Sequence, residues 1–197
     1  MIEFMESHWL DMLTTILGLA YIILEYRASI WLWAVGFVMQ SLGIVLYYQK
    51  GLYADCGMEF YYLAMTVYGF IHWVRPKECH ETGGNERAIT HFPLRLAIAW
   101  SFITLIAWGV LYWFLTTFTN STVPMADSFT TALSFVGIWA LARKYLEQWL
   151  IWIVVDIVTF ILYFYKDIPF KGSLYCLYSI IAIFGYFKWK KLCESED

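Results

Sequence analysis

Apolar residues fall along this chain in seven long stretches, at about residues 8 to 25, 30 to 48, 53 to 74, 95 to 118, 127 to 142, 146 to 165 and 169 to 188. Each approaches the roughly 17 to 25 residues that a helix needs to cross about 30 Å of hydrocarbon. The stretches are continuously apolar rather than alternating, which argues against the strands of a membrane barrel. Helix is then the conformation that satisfies every backbone group inside lipid. The pattern predicts an all-α integral membrane protein of seven transmembrane helices, with the lipid bilayer as its solvent.

A second regularity lies beneath the first. Residues 11 to 73 align with 127 to 189 at a constant offset of 116, without a gap. Only 14 of the 63 pairs are identical, but they include Asp11 with Asp127, Thr14 and Thr15 with Thr130 and Thr131, Arg27 with Arg143 and Trp33 with Trp149. Tyr47 also matches Tyr163, Lys50 Lys166, Tyr62 Tyr178, Gly69 Gly185 and Trp73 Trp189. Shared hydropathy over the same window makes this an internal duplication, and membrane transporters are commonly built from such repeats.

Duplication and span count explain each other. A unit of three spans reverses the direction of the chain, so an immediate copy would be inverted. The extra span at about 95 to 118 restores the direction. The expected architecture is therefore three plus one plus three, two parallel three-helix repeats with a linker helix, related by a pseudo-two-fold axis along the membrane normal. The expected divisions are residues 1–75 for the first repeat, 76–120 for the connector and linker helix, and 121–197 for the second repeat and tail. The hydrophilic stretch from Pro76 to Pro93, with Gly83 and Gly84, reads as a connector without catalytic content.

Composition supports the same solvent: 61% of residues are hydrophobic, 21% aromatic and 15% charged, too apolar for a soluble domain of 197 residues. Charge supplies orientation. Lys50, Lys166 and Lys171 fall on the N-terminal side of the spans, and the other ten Lys and Arg residues on the opposite side. The positive-inside rule then places the N-terminus outside and the C-terminus in the cytoplasm. The segment before Asp11 carries Glu3 and Glu6 and no Lys or Arg, unlike a signal peptide.

Two like-oriented repeats around an axis enclose a central cavity, and equivalent positions face one another across it near the midplane. The offset of 116 nominates Gln40 and Asp156, the most polar residues at that depth. A carboxylate at the centre of a membrane helix costs about 2.5 to 3.5 kcal/mol on insertion scales, and such groups usually face a cavity or pathway. At spacings of three and four, Trp149, Trp152, Asp156, Thr159 and Tyr163 share one face of the sixth span, as Trp33, Gly36, Gln40, Gly43 and Tyr47 do on the second. Aromatic faces stack on flat rings and attract cations by roughly 0.5 to 2 kcal/mol per contact. A flat, cationic heteroaromatic ligand fits that set. Trp33, Trp149, Tyr47 and Tyr163 also lie where interfacial anchors belong, whereas Trp152 is deeper. Glu59, Tyr62, Thr66, Phe70 and Trp73 form a further face on the third span, with Tyr175, Tyr178, Ala182, Gly185 and Trp189 as counterparts. Glu59 reads equally as a gate, a ligand contact or a solvated acid. Thr14, Thr15, Thr130 and Thr131 read as glue between helices.

Other chemistry is not supported. Cys56, Cys79, Cys176 and Cys193 form no CxxC pair, and Cys79, His80 and His91 lack metal-site spacing. No phosphate loop, nucleophile motif or clustered acids occur, so neither an ATP-driven pump nor an enzyme is expected, and no catalytic residue, metal, cofactor or nucleic-acid partner. A non-transporting receptor or scaffold is the lesser alternative, in which a midplane acid has little purpose.

The run Arg143, Lys144, Tyr145, Leu146, Glu147, Gln148, Trp149, Leu150, followed by Trp152 and Asp156, together with Tyr68, Gly69 and Trp73, resembles the PnuC-type vitamin transporters over essentially the whole chain. The resemblance implies a bacterial inner-membrane carrier with the three plus one plus three arrangement, related to the SWEET sugar transporters and assembled as a homotrimer. It also implies facilitated diffusion, with a cytoplasmic kinase phosphorylating the vitamin and trapping it. Members that carry nicotinamide riboside have Trp-x-x-Trp at the end of the third span, where this chain reads Phe70, Ile71, His72, Trp73. The thiamine-carrying branch is therefore the expected match, with nicotinamide riboside uptake as the alternative. Thiamine's aminopyrimidine suits paired hydrogen bonds from a carboxylate such as Asp156.

Overall fold

The structure is a computed structural model that describes residues 13, 16–49, 53–74, 88–119, 121–166 and 169–196. The expectations for Asp11, Thr14, Thr15, Lys50, Cys79, His80 and the connector as far as Arg87 lie outside the described residues. Among the described residues seven helices follow in order: α1 (Ile16–Tyr26), α2 (Trp31–Gln49), α3 (Tyr53–Val74), α4 (Leu94–Phe118), α5 (Pro124–Ala142), α6 (Gln148–Tyr165) and α7 (Pro169–Glu196). By length and composition, α2, α4, α5 and α6 are apolar enough to cross a membrane. Helices α2 to α6 match their apolar runs to within about three residues, α1 is described from Ile16 within the run expected at 8 to 25, and α7 continues to Glu196 instead of stopping near residue 188. Hydropathy marks where hydrocarbon ends, not where the backbone stops coiling. Lys190 and Glu194, an i,i+4 pair 3.9 Å apart, prolong the helix beyond the apolar run.

The helices group into two compact units, Met1–Arg87 and Ala88–Asp197. In the first, α2 packs on α3; in the second, α4 packs on α5, α5 on α6 and α6 on α7. The linker helix therefore belongs by contact with the second repeat. Aromatic rings hold it there: Trp100 lies 4.4 Å from Trp139, Trp108 lies 5.2 Å from Phe129, and the Trp108 indole donates to the Met125 carbonyl at 3.1 Å. No residue of α4 is buried. Its entry is tied to the α5–α6 turn by Glu147, which accepts the Phe92 amide at 2.7 Å and meets His91 Nδ1 at 2.8 Å.

The two units repeat one another in a helix-ending turn and in a pair of aromatic contacts. α1 ends in a turn where Ser29 N–H donates to Leu24 C=O at 3.0 Å and Ala28 N–H to Glu25 C=O at 2.9 Å. At the end of α5, Tyr145 donates to Ala140 at 3.0 Å and Lys144 to Leu141 at 2.8 Å. These are the paired bonds of a Schellman turn, which needs a left-handed residue after the helix. Ala28 supplies it at φ 52° and Lys144 at φ 60°, 116 positions later. Helix contacts repeat as well. Trp33 stands edge-on to Trp73 at 5.4 Å and 89°, and Trp149 to Trp189 at 5.6 Å and 87°. A glycine makes room in each case: a Cβ at Gly69 would strike the Trp33 ring, and one at Gly185 would lie 2.7 Å from that of Trp149.

Candidate functional site

Asp156 sits midway along α6 and is 6% exposed. Among the described residues its carboxylate forms no hydrogen bond or ion pair; Tyr178 of α7 is within electrostatic reach. An ionised carboxylate held this way is costly. One turn toward the start of α6, Trp152 is half-buried, and its indole N–H is enclosed without a hydrogen-bond partner among the described residues. Gly137 of α5 lets that ring in, since a Cβ there would lie 3.2 Å from it.

The repeat exposes a swap at this point. Gly137 and Trp152 correspond to Tyr21 and Gly36, and in the first unit the Tyr21 ring lies 3.1 Å from where a Gly36 Cβ would be. One aromatic ring fills the same slot in both units, but it comes from the first helix in one and from the second helix in the other. An apolar-plus-hydroxyl ring is thereby exchanged for a larger indole beside Asp156. Neither position was legible as a pair before the contact was seen.

The remaining expected residues separate into two groups. Trp33 and Trp149 are each 1% exposed, so no ring face is open to a ligand, and the stacking role expected for them gives way to packing against Gly69, Trp73, Gly185 and Trp189. Thr66 is 2% exposed and lies against Gly36, and the Glu59 carboxylate covers Gly43, where a Cβ would come within 2.7 Å. The glycines of α2 thus make room for neighbours in their own unit rather than for a ligand. By contrast Gln40, Tyr62, Thr159, Tyr163 and Tyr178 are half-buried. Tyr163 stacks on Tyr175 at 5.3 Å and 21°, and Tyr175 meets Tyr178 edge-on at 5.7 Å, which extends an aromatic wall from the C-terminal half of α6 onto α7. Tyr62 pairs with Tyr61 at 5.7 Å.

Glu25 and Gln148 are among the buried polar residues that the sequence pattern did not nominate. Glu25, near the end of α1, is 4% exposed, and Gln148, the first residue of α6, is fully buried. The signal for both was in the repeat: their counterparts are Leu141 and Leu32, so each replaces an apolar residue that the same fold accepts.

Residues 8–191 match the family model described as "Nicotinamide mononucleotide transporter". The chain belongs to that family. Among its curated relatives, the riboflavin/roseoflavin transporter RibM of Streptomyces davaonensis is 28% identical over 184 residues, covering 92% of this chain and 84% of RibM. The nicotinamide riboside transporter PnuC of Escherichia coli is 23% identical over 212 residues, covering 93% and 86%. A crystal structure of the vitamin B3 transporter PnuC superimposes with a TM-score of 0.75 at 23% identity, covering 98% of this chain and 86% of that one. Membership in this family agrees with helices apolar enough to span a bilayer, and the expected vitamin transporter is what the relatives' names describe. Those names concern nicotinamide riboside and riboflavin; thiamine is not among them.

Proposed function

We propose that this chain carries a flat, cationic vitamin across the membrane by facilitated diffusion, and that nicotinamide riboside is its first substrate. The observation that carries the reading is Asp156, a buried carboxylate one turn along α6 from Trp152, whose indole N–H is enclosed without a hydrogen-bond partner among the described residues. A pyridinium ring supplies the missing charge and stacks on indole, an attraction of about 2 kcal/mol or more when desolvated. Thr159, one turn beyond Asp156, and the Tyr163 and Tyr178 wall complete the contact in the second unit. Riboflavin, a neutral ring system, lacks the charge that would pair with the carboxylate.

Thiamine is the second reading, and Phe70 is the observation that favours it. Its weight is reduced by the structure: Phe70 is exposed on α3, while Trp73, the tryptophan retained nearby, is fully buried against Trp33. Neither behaves as a residue that grips a substrate. Trapping by an intracellular kinase, assembly as a trimer, an inner-membrane location and a cytoplasmic C-terminus belong to the same proposal.

The test is uptake of labelled nicotinamide riboside, thiamine and riboflavin into liposomes holding the purified protein. Entry of nicotinamide riboside down its gradient, unaffected by collapse of a proton gradient, is the expected result. Binding without entry would identify a receptor, and entry of riboflavin alone would remove Asp156 from the account.

A further inference from the structure

Gln148 is fully enclosed, and neither its amide nitrogen nor its carbonyl oxygen has a hydrogen-bond partner among the described residues. Burying both ends of a carboxamide in this way is unfavourable, and proteins pair nearly all such groups. The repeat provides an internal control. At the equivalent position the first unit has Leu32, also fully buried, so this place in the fold is filled well by an apolar side chain. The amide is therefore not required by the helix packing.

Its position gives it a purpose. Gln148, Trp152 and Asp156 are spaced by four residues on α6 and form one stripe along the helix. The Gln148 amide and the Trp152 indole N–H have no hydrogen-bond partner among the described residues, and the Asp156 carboxylate on the same stripe is buried. At 1.5 Å rise per residue the stripe is about 12 Å long, the length of a nucleoside rather than of a bare ring. We infer that Gln148 is a further substrate contact, which receives the hydroxyl-bearing sugar of a nucleoside whose cationic ring lies at Asp156. A carboxamide both donates and accepts, which suits vicinal hydroxyls and does not suit a second charge. Since Gln148 is sealed from solvent in this structure, the contact forms in the state of the transport cycle that opens the start of α6. This inference rests on the nicotinamide riboside reading above.

The experiment uses the full-length purified protein, Q148L and Q148N, with calorimetric binding of nicotinamide riboside and of 1-methylnicotinamide, which keeps the cationic ring and lacks the sugar. Q148L is expected to bind the riboside at least tenfold more weakly and 1-methylnicotinamide within threefold of the parent, with an unchanged or higher melting temperature without ligand. Q148N, which keeps the amide on a shorter stem, should fall between. Equal loss for both ligands, riboside affinity within twofold of the parent, or a lower melting temperature or failure to fold for Q148L would each overturn the inference, the last two outcomes assigning the amide to structure. Failure of the parent to bind either ligand would instead sink the substrate reading on which it rests.

Discussion

The Trp149 indole stands edge-on to that of Trp189, with centroids 5.6 Å apart and planes at 87°, and it lies over Gly185 on the same neighbouring helix. Both tryptophans are essentially without exposure. This contact and its copy, Trp33 with Trp73 over Gly69, lock the second and third helices of each repeat together. Gly185→Ala puts a methyl carbon 2.7 Å from the Trp149 ring, which the buried indole has no space to avoid. Overpacking of this kind costs about 1 to 3 kcal/mol. Gly185→Ala and Gly69→Ala should therefore each lower the melting temperature in detergent by several degrees, and a variant that melts with the parent would show that the contact yields freely.

Asp156→Asn preserves shape and removes the charge. Binding of a flat cationic vitamin should weaken at least tenfold, equivalent to about 1.4 kcal/mol, while the ligand-free protein melts at the same temperature or higher. Calorimetry and a thermal-shift scan read the two effects separately. Lower stability with unchanged affinity would make the carboxylate a structural group.

The swap between Tyr21 over Gly36 and Trp152 over Gly137 can be imposed on the second unit. Trp152→Gly alone removes a ring from a packed slot, a change of roughly 3 to 5 kcal/mol for large aromatic deletions. Adding Gly137→Tyr should restore part of that stability, since the ring then enters from the other helix as it does in the first unit. Uptake should be lost in both variants, because the enclosed indole N–H beside Asp156 is gone. Recovery of uptake in the double variant, measured in liposomes, would show that any ring in the slot suffices.

Lys166 Nζ lies 2.9 Å from Asp127 Oδ1, and Ser121 donates to the other carboxylate oxygen at 2.8 Å, joining the start of α5 to the end of α6. Both charged side chains are between a quarter and a third exposed, so screening keeps the pair weak, at about 1 kcal/mol or less. Lys166→Ala should shift the melting temperature by only a degree or two, with the difference shrinking at high salt. A large loss would reveal a role beyond the ion pair.

Ala28 holds a left-handed backbone that glycine adopts freely. Ala28→Gly should be neutral or stabilise the fold by up to about 1 kcal/mol, and marked destabilisation in a thermal melt would contradict the turn assignment.

Periodicity and hydropathy alone determined the number of helices, their approximate limits and the duplication, because a bilayer forces each span to be long, apolar and internally hydrogen-bonded. That Asp156 is a charge within a span was also legible, since its place in the apolar run is fixed by sequence, and the structure adds that it is buried. Side-chain partners were not legible. A face with Trp33, Gly36, Gln40 and Gly43 looks the same in sequence whether its glycines admit a ligand or a neighbouring helix, and the coordinates assign them to Tyr21, Thr66 and Glu59. Likewise the sequence records that Gln148 replaces Leu32, but only the packing decides that the amide is sealed and, among the described residues, unmatched, because burial depends on which helices close over a position and not on the residue that occupies it.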